Sequence, residues 1–204
     1  SPAGDPWRAD LAGARDAHAH DAAAMGACAY AVANDTISVR NGDGRELGRI
    51  RHPRARFAKL ALADAGRRLL VASFDEIALY EVATGKALHR ETAGEDAYPT
   101  AAALDRDGTR FVVRHRRDAL VMRDEGGVEI ARWQPDEYDE IERLAISGQH
   151  VIARADHVSD GRKLLVFSLG SKQPAELPAS SFQLDPDSDE HVLVRRASQL
   201  LRCT

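Results

Sequence analysis

No stretch of this 204-residue chain stays apolar for anything near the about 18 residues a membrane-spanning helix needs, so the sequence offers no such span. An excess of one charge is missing too. Against 28 Lys and Arg stand 32 Asp and Glu, a formal charge of −4, so no global field draws the chain to nucleic acid. Common catalytic signatures are absent: there is no Gly-x-Ser-x-Gly elbow and no Gly-x-x-x-x-Gly-Lys phosphate loop. No leader peptide is visible at the start, and Ser1 in place of an initiator Met reads as processing or as a cut from a longer polypeptide. Lysine is scarce, 4 residues against 24 Arg, a bias that raises the chance of Arg-rich loops by composition alone.

What the chain does have is a repeated phrase. Residues 63–88, ADAGRRLLVASFDEIALYEVATGKAL, hold two runs of β-formers, Leu69-Leu70-Val71 and 77–82, between Asp64-Ala65-Gly66, Asp75-Glu76 and Thr84-Gly85. Gly supplies the positive φ of a tight hairpin and the Asp or Thr before it bonds the local backbone, so the stretch reads as a β-meander. The runs recur. Leu69, Phe111, Val151 and Val192 open equivalent runs 42, 40 and 41 positions apart, and Ile37, Ala78, Leu120, Leu165 and Leu200 open another set at 41, 42, 45 and 35. Five units of roughly 41 residues result, at about 22–56, 57–97, 98–139, 140–180 and 181–204, the last with residues for three strands.

A period of this length with four short strands per unit is the requirement of a β-propeller blade, whose twisted sheet buries its faces only by stacking on neighbours. Residues 60–88 resemble a blade of the WD-repeat superfamily: apolar strand, Asp-x-Gly turn, apolar strand, aromatic-acidic pair, Thr-Gly turn. The resemblance runs over about 22–204 and is fullest in the second unit. Where the family has Trp-Asp, this chain has Val39-Arg40, Tyr80-Glu81, Met122-Arg123, Phe167-Ser168 and Arg202-Cys203, and no Gly-His pair opens a unit. It implies an all-β propeller of four-stranded antiparallel blades, about five in number, with residues 1–21 as an N-terminal extension that closes the ring or stands apart from it. Leu69, Val71, Phe111, Val113, Val151, Val192 and Val194 are then expected in the core between blades. The segment YEVATGKAL is also similar to one repeat of the quinone-cofactor propellers, yet hairpin chemistry accounts for Thr84-Gly85-Lys86 and no cofactor is expected.

Cys28 and Cys203, the two cysteines, fall in the first and last units. A ring would bring them near enough for a disulfide, but two reduced thiols are the preferred reading, which favours a cytoplasmic setting over a secreted or periplasmic one. Asp16, His18, His20 and Asp21 in DAHAHD, and Asp156, His157 and Asp160 in ADHVSDG, carry metal-ligand chemistry. Neither group has further ligands at a useful spacing, so both read as solvated segments and no metal is expected.

The loops divide into two classes. One is tight and glycine-bearing, as at Asp64-Ala65-Gly66, Asp107-Gly108 and Ser147-Gly148. The other is longer and distinctive: RIRHPRAR (49–56), ETAGEDAYP (91–99), RHRRD (114–118), RWQPDEYDEIE (132–142) and ADHVSDG (155–161). In an up-and-down blade the longer class emerges at one end. Loops held by a rigid scaffold concentrate binding residues, so that end is the candidate site. Arg49, Arg51, Arg54, Arg56, Arg114, Arg116 and Arg117 suit carboxylates or phosphates, Tyr98, Trp133 and Tyr138 suit the role of anchors, and Asp136 and Glu137 sit beside them. The acidic run PDEYDEIE argues against RNA. The expected function is a non-catalytic interaction, sensor or scaffold module that docks a partner protein or a neighbouring domain of its own polypeptide. The alternative is a small-ligand or enzymatic propeller with its site in the central channel, although the innermost runs, Leu60-Ala61-Leu62, 101–104 and Leu144-Ala145-Ile146, are apolar.

Overall fold

Within each sheet the strands follow chain order and pair antiparallel, as short connections between successive strands require. The structure is a computed structural model that describes residues 27–33, 35–93, 99–115, 119–135, 140–157, 161–177, 181–184, 192–196 and 199–203. The expected extension 1–21, with Asp16, His18, His20 and Asp21, lies outside the described residues, as do the side chains of Cys28 and Cys203. The chain divides into two compact units, 1–94 and 95–204.

In the first unit, β1 (Cys28–Ala33), β2 (Thr36–Arg40) and β3 (Glu46–Arg51) form one sheet. The next contains β4 (Lys59–Ala63), β5 (Arg68–Ala72), β6 (Glu76–Glu81) and β7 (Lys86–Thr92). Its middle strands are apolar at successive positions because both faces are buried there: Leu69, Leu70, Val71, Ala72, Ala78, Leu79 and Tyr80 are all inaccessible. The edge strand β7 leaves Lys86, Arg90 and Thr92 exposed. Period two then sorts the residues. Leu60, Leu62, Leu69, Val71, Ala78 and Tyr80 meet Ile37, Val39 and Ile50 of the first sheet in one core. Cross-strand register sets Leu60 against Val71 and Leu69 against Tyr80, so a one-residue slip would turn this set to the other face.

The two sheets approach closely at Gly48 in β3, where an added β-carbon would run into the Val82 carbonyl. Backbone cannot yield as a flexible side chain can. Gly48→Ala is expected to destabilise the protein by about 1–3 kcal/mol, as overpacking of a closed core does. A urea denaturation midpoint equal to that of the parent protein would contradict this contact.

In the second unit, one sheet contains β8 (Pro99–Leu104), β9 (Arg110–His115), β10 (Leu120–Asp124) and β11 (Glu129–Trp133). A second contains β12 (Glu140–Ser147), β13 (His150–His157), β14 (Gly161–Ser168) and β15 (Ala175–Leu177), and a third has, among the described residues, β16 (Ser181–Leu184), β17 (Val192–Arg196) and β18 (Gln199–Cys203). Alternate residues of the middle sheet serve different cores. Val151, Ala153, Leu165 and Phe167 pack with Val112, Leu120, Met122 and Trp133, whereas Ala145, Ile152 and Leu164 pack with Phe182.

Turn chemistry repeats with the strands. The Oδ1 of Asn41 accepts the N–H groups of Asp43 and Arg45 at 3.1 and 2.9 Å, and the Oδ1 of Asp124 accepts those of Gly126 and Val128 at 2.9 and 2.8 Å. Each turn places its glycine, Gly44 or Gly127, at positive φ. Between β8 and β9, buried Asp105 accepts the N–H groups of Thr109 and Arg110, the Thr109 hydroxyl and the Arg110 Nε–H. Both carboxylate oxygens are thereby satisfied, which is what makes burial of this charge tolerable. Of the residues expected in the core, Leu69, Val71, Phe111, Val113 and Val151 are buried, while the side chains of Val192 and Val194 lie outside the described residues.

Candidate functional site

Hydrogen bonds sort the connections of the first unit into two ends. At one, His52 N–H, between β3 and β4, donates to the Asp35 carbonyl between β1 and β2, and Ala93 N–H, after β7, donates to the Asp75 carbonyl between β5 and β6. At the other lie the tight turns with Gly44, Gly66 and Gly85 at positive φ. The β3–β4 connection, the longest between described strands of this unit, therefore shares an end with the β1–β2 connection.

The segment after β3 is pinned from inside. Ala55 and Ala58 are buried in the inter-sheet core, and Ala55, Phe57 and Ala58 donate their N–H groups to the carbonyls of His52, Arg54 and Ala55. A single turn of 3₁₀ helix, Ala55–Phe57, results. With the two alanines facing inward, Arg54 and Phe57 are left facing outward. Arg54 takes a left-handed backbone, φ 53°, uncommon for a residue with a β-carbon. Its Nε lies 3.1 Å from an Asp75 carboxylate oxygen, and Phe57, 57 % exposed, meets the neighbouring Phe74 edge-on with ring centres 6.4 Å apart. Arg51 reaches Asp35 at 3.2 Å. Arg54 and Phe57 of this loop thus meet Asp75 and Phe74 of the β5–β6 connection, while Arg51 ends β3.

Beneath them is a buried polar chain that runs through His52. The Tyr80 hydroxyl lies 3.0 Å from His52 Nδ1, and His52 Nε2 lies 3.0 Å from Ser73 Oγ, whose hydroxyl donates to the Glu76 carbonyl. Because the Ser73 proton is committed to that carbonyl, Ser73 Oγ accepts from Nε2–H, which leaves Nδ1 to accept from Tyr80. The imidazole is therefore neutral. Burial, aided by the Arg90 charge and opposed by Asp75, pushes His52 down from 6.5 to about 4, and burial pushes the Tyr80 hydroxyl up to about 12. Arg90 sits over the Tyr80 ring at 5.4 Å and binds Glu76 through two contacts of 2.9 and 3.2 Å. His52 bridges the first sheet's exit to the second sheet's β5–β6 connection, so it aligns the loop from below. Nothing in the segment RIRHPRAR by itself sets His52 apart from its neighbours; its partners Ser73 and Tyr80 lie 21 and 28 positions away.

Two expected site residues belong elsewhere. Trp133 is 2 % exposed, its ring centre 5.6 Å from that of Phe167 and its indole N–H donating to the Ser171 carbonyl at 3.0 Å. It joins two sheets of the second unit and is no exposed anchor, because the large apolar ring at the end of β11 finds both a core and an acceptor in the neighbouring sheet. Arg114 is 3 % exposed within β9, between Ala101 and Leu120, so it is not a rim charge either. Arg49 lies on β3 and pairs with Glu46. Tyr98, Arg116, Arg117, Asp136, Glu137 and Tyr138 lie outside the described residues, as do Asp160 and the side chains of Arg56, Asp156 and His157. Among the described residues no three His, Cys, Asp or Glu side chains gather as a metal site.

No protein-family model and no curated protein sequence matches the chain. Its likeness is to solved structures. Hydrazine synthase of Kuenenia stuttgartiensis superposes with a TM-score of 0.57 over 84 % of this chain and 52 % of that chain, at 14 % identity. This chain thus spans about half the length of that one. Solved chains that match number 1032, and a fold likeness at 14 % identity carries no function with it, so the comparison speaks for a propeller-like fold and for no activity.

Proposed function

We propose that this chain is a divergent WD-like propeller of about five blades that performs no catalysis and docks a partner protein, or a neighbouring domain of its own polypeptide, through the end bearing the longer loops. The observation that carries the reading is the β3–β4 loop, where Ala55 and Ala58 are sunk in the core and hold Arg54 and Phe57 outward. A presented aromatic ring beside an arginine on a fixed backbone loses little entropy on binding, which is the economy of an interface anchor. The opposite end of the same unit offers glycine turns.

The test compares ends. A photoreactive amino acid at position 57 is expected to label a partner in lysate of the source cell, and one at position 43, in the turn after β2, is expected not to. Arg54→Glu should slow association several-fold, with an effect that shrinks as salt rises, since rim charges act by screened steering. Labelling from position 43 alone would refute the assignment.

A further inference from the structure

The side chains on the β3–β4 loop say more about what binds there. Arg51 and Arg54 are exposed over 86 % and 60 % of their side chains, and each is held by one acidic neighbour: Asp35 meets a terminal nitrogen of Arg51, and Asp75 meets Nε of Arg54. A guanidinium carries five N–H donors, and one contact to one carboxylate uses only part of them, so both exposed arginines keep donors for a ligand. Phe57 lies three residues beyond Arg54, packed on Phe74, which adjoins Asp75. The patch thus offers guanidinium donors for a carboxylate together with an apolar ledge.

We propose, building on the docking role above, that this loop binds an acidic peptide segment in which a Glu or Asp carboxylate is spaced one or two residues from an aliphatic or aromatic side chain. The carboxylate takes the open edge of Arg54 in a charge-assisted pair, and the apolar side chain covers Phe57. Charge decides against a nucleic acid strand. Asp35 and Asp75 each pair with one of the two arginines, so the site holds no large excess of positive charge for a strand with a phosphate at every step, whereas a peptide needs only one carboxylate for the donors of Arg54. Arg90 is tied to Glu76 by two contacts and adds no open donor edge of comparable freedom.

Fluorescence anisotropy of the full chain with four labelled probes tests this: a decapeptide alternating Glu with Leu, one with Lys for Glu, one with Ser for Leu, and a ten-nucleotide oligothymidylate. The Glu-Leu peptide is expected to bind at least tenfold more tightly than the other three. Phe57→Ser and Arg54→Gln should each weaken it about tenfold or more, and Lys86→Gln at the opposite end should leave it unchanged; these positions are exposed, and equal melting curves verify that the variants fold. Equal binding of the Lys-Leu peptide, tighter binding of the oligonucleotide, or indifference to both substitutions would overturn the proposal. So would Phe57-dependent dimerisation in sedimentation, which would make a second copy the occupant. The docking reading fails separately, by labelling from position 43, so loss of peptide specificity with labelling still confined to position 57 would refute this inference alone.

Discussion

Trp133→Ala is expected to remove about 3–5 kcal/mol of stability, the range for truncating a large aromatic side chain in a closed core. The indole fills the space between β11 and the β14 side of the next sheet, against Phe167, and truncation also leaves the Ser171 carbonyl without its donor. For a chain of this size the loss lowers the melting temperature by roughly 10 °C. Trp133→Phe separates the two contributions: most of the ring volume stays and only the N–H is lost, at a cost of about 1 kcal/mol plus a small cavity. Differential scanning calorimetry of the three proteins checks the ranking. Were Trp133 an interface anchor, the alanine variant would melt like the parent and lose partner binding instead, an outcome that would contradict its buried position.

Acid should undo the first unit through His52. Folded His52 takes a proton only near pH 4, whereas the unfolded chain takes it near the ordinary 6.5, so between those values the unfolded state binds more protons. Stability is therefore complete above pH 6.5 and drains as pH falls, by about 1.4 kcal/mol per unit and about 3 kcal/mol by pH 4. Burial is the main cause; Arg90 reinforces it and the carboxylate of Asp75 works against it, with Glu76 3.6 Å away. His52→Gln keeps a neutral polar side chain but lacks the titration. It is expected to be less stable than the parent at pH 7.5, with the gap closing steadily between pH 6.5 and 4.5 in urea denaturation. Parallel curves for the two proteins would show that His52 gains its proton equally in both states.

Strand positions were legible because they rest on local physics. Leu69-Leu70-Val71 and Phe111-Val112-Val113 are β-forming runs next to Gly-bearing turns, and β5 and β9 contain them. Their continuous burial, rather than alternation, also follows from composition: a strand buried on both faces has no position for a polar side chain. The sorting of loops at the ends of the first unit needed only the parity of an up-and-down meander and the places of its glycines.

By itself, then, the sequence determined the strands, their antiparallel order and the turns between them, because each depends on residues within a few positions of one another. Tertiary structure alone decided where individual side chains go. Trp133, read as an exposed anchor, turns inward because a carbonyl and Phe167, over thirty positions away, complete its pocket. Arg114 is buried because of what covers β9, and His52, one of several polar residues in a basic stretch, becomes the neutral centre of a hydrogen-bond chain because Ser73 and Tyr80 come from other strands. Arg54 and Phe57 are presented together for the same reason: Ala55 and Ala58 enter a core built by two sheets, and no property of an alanine in a sequence announces that it will be the one buried.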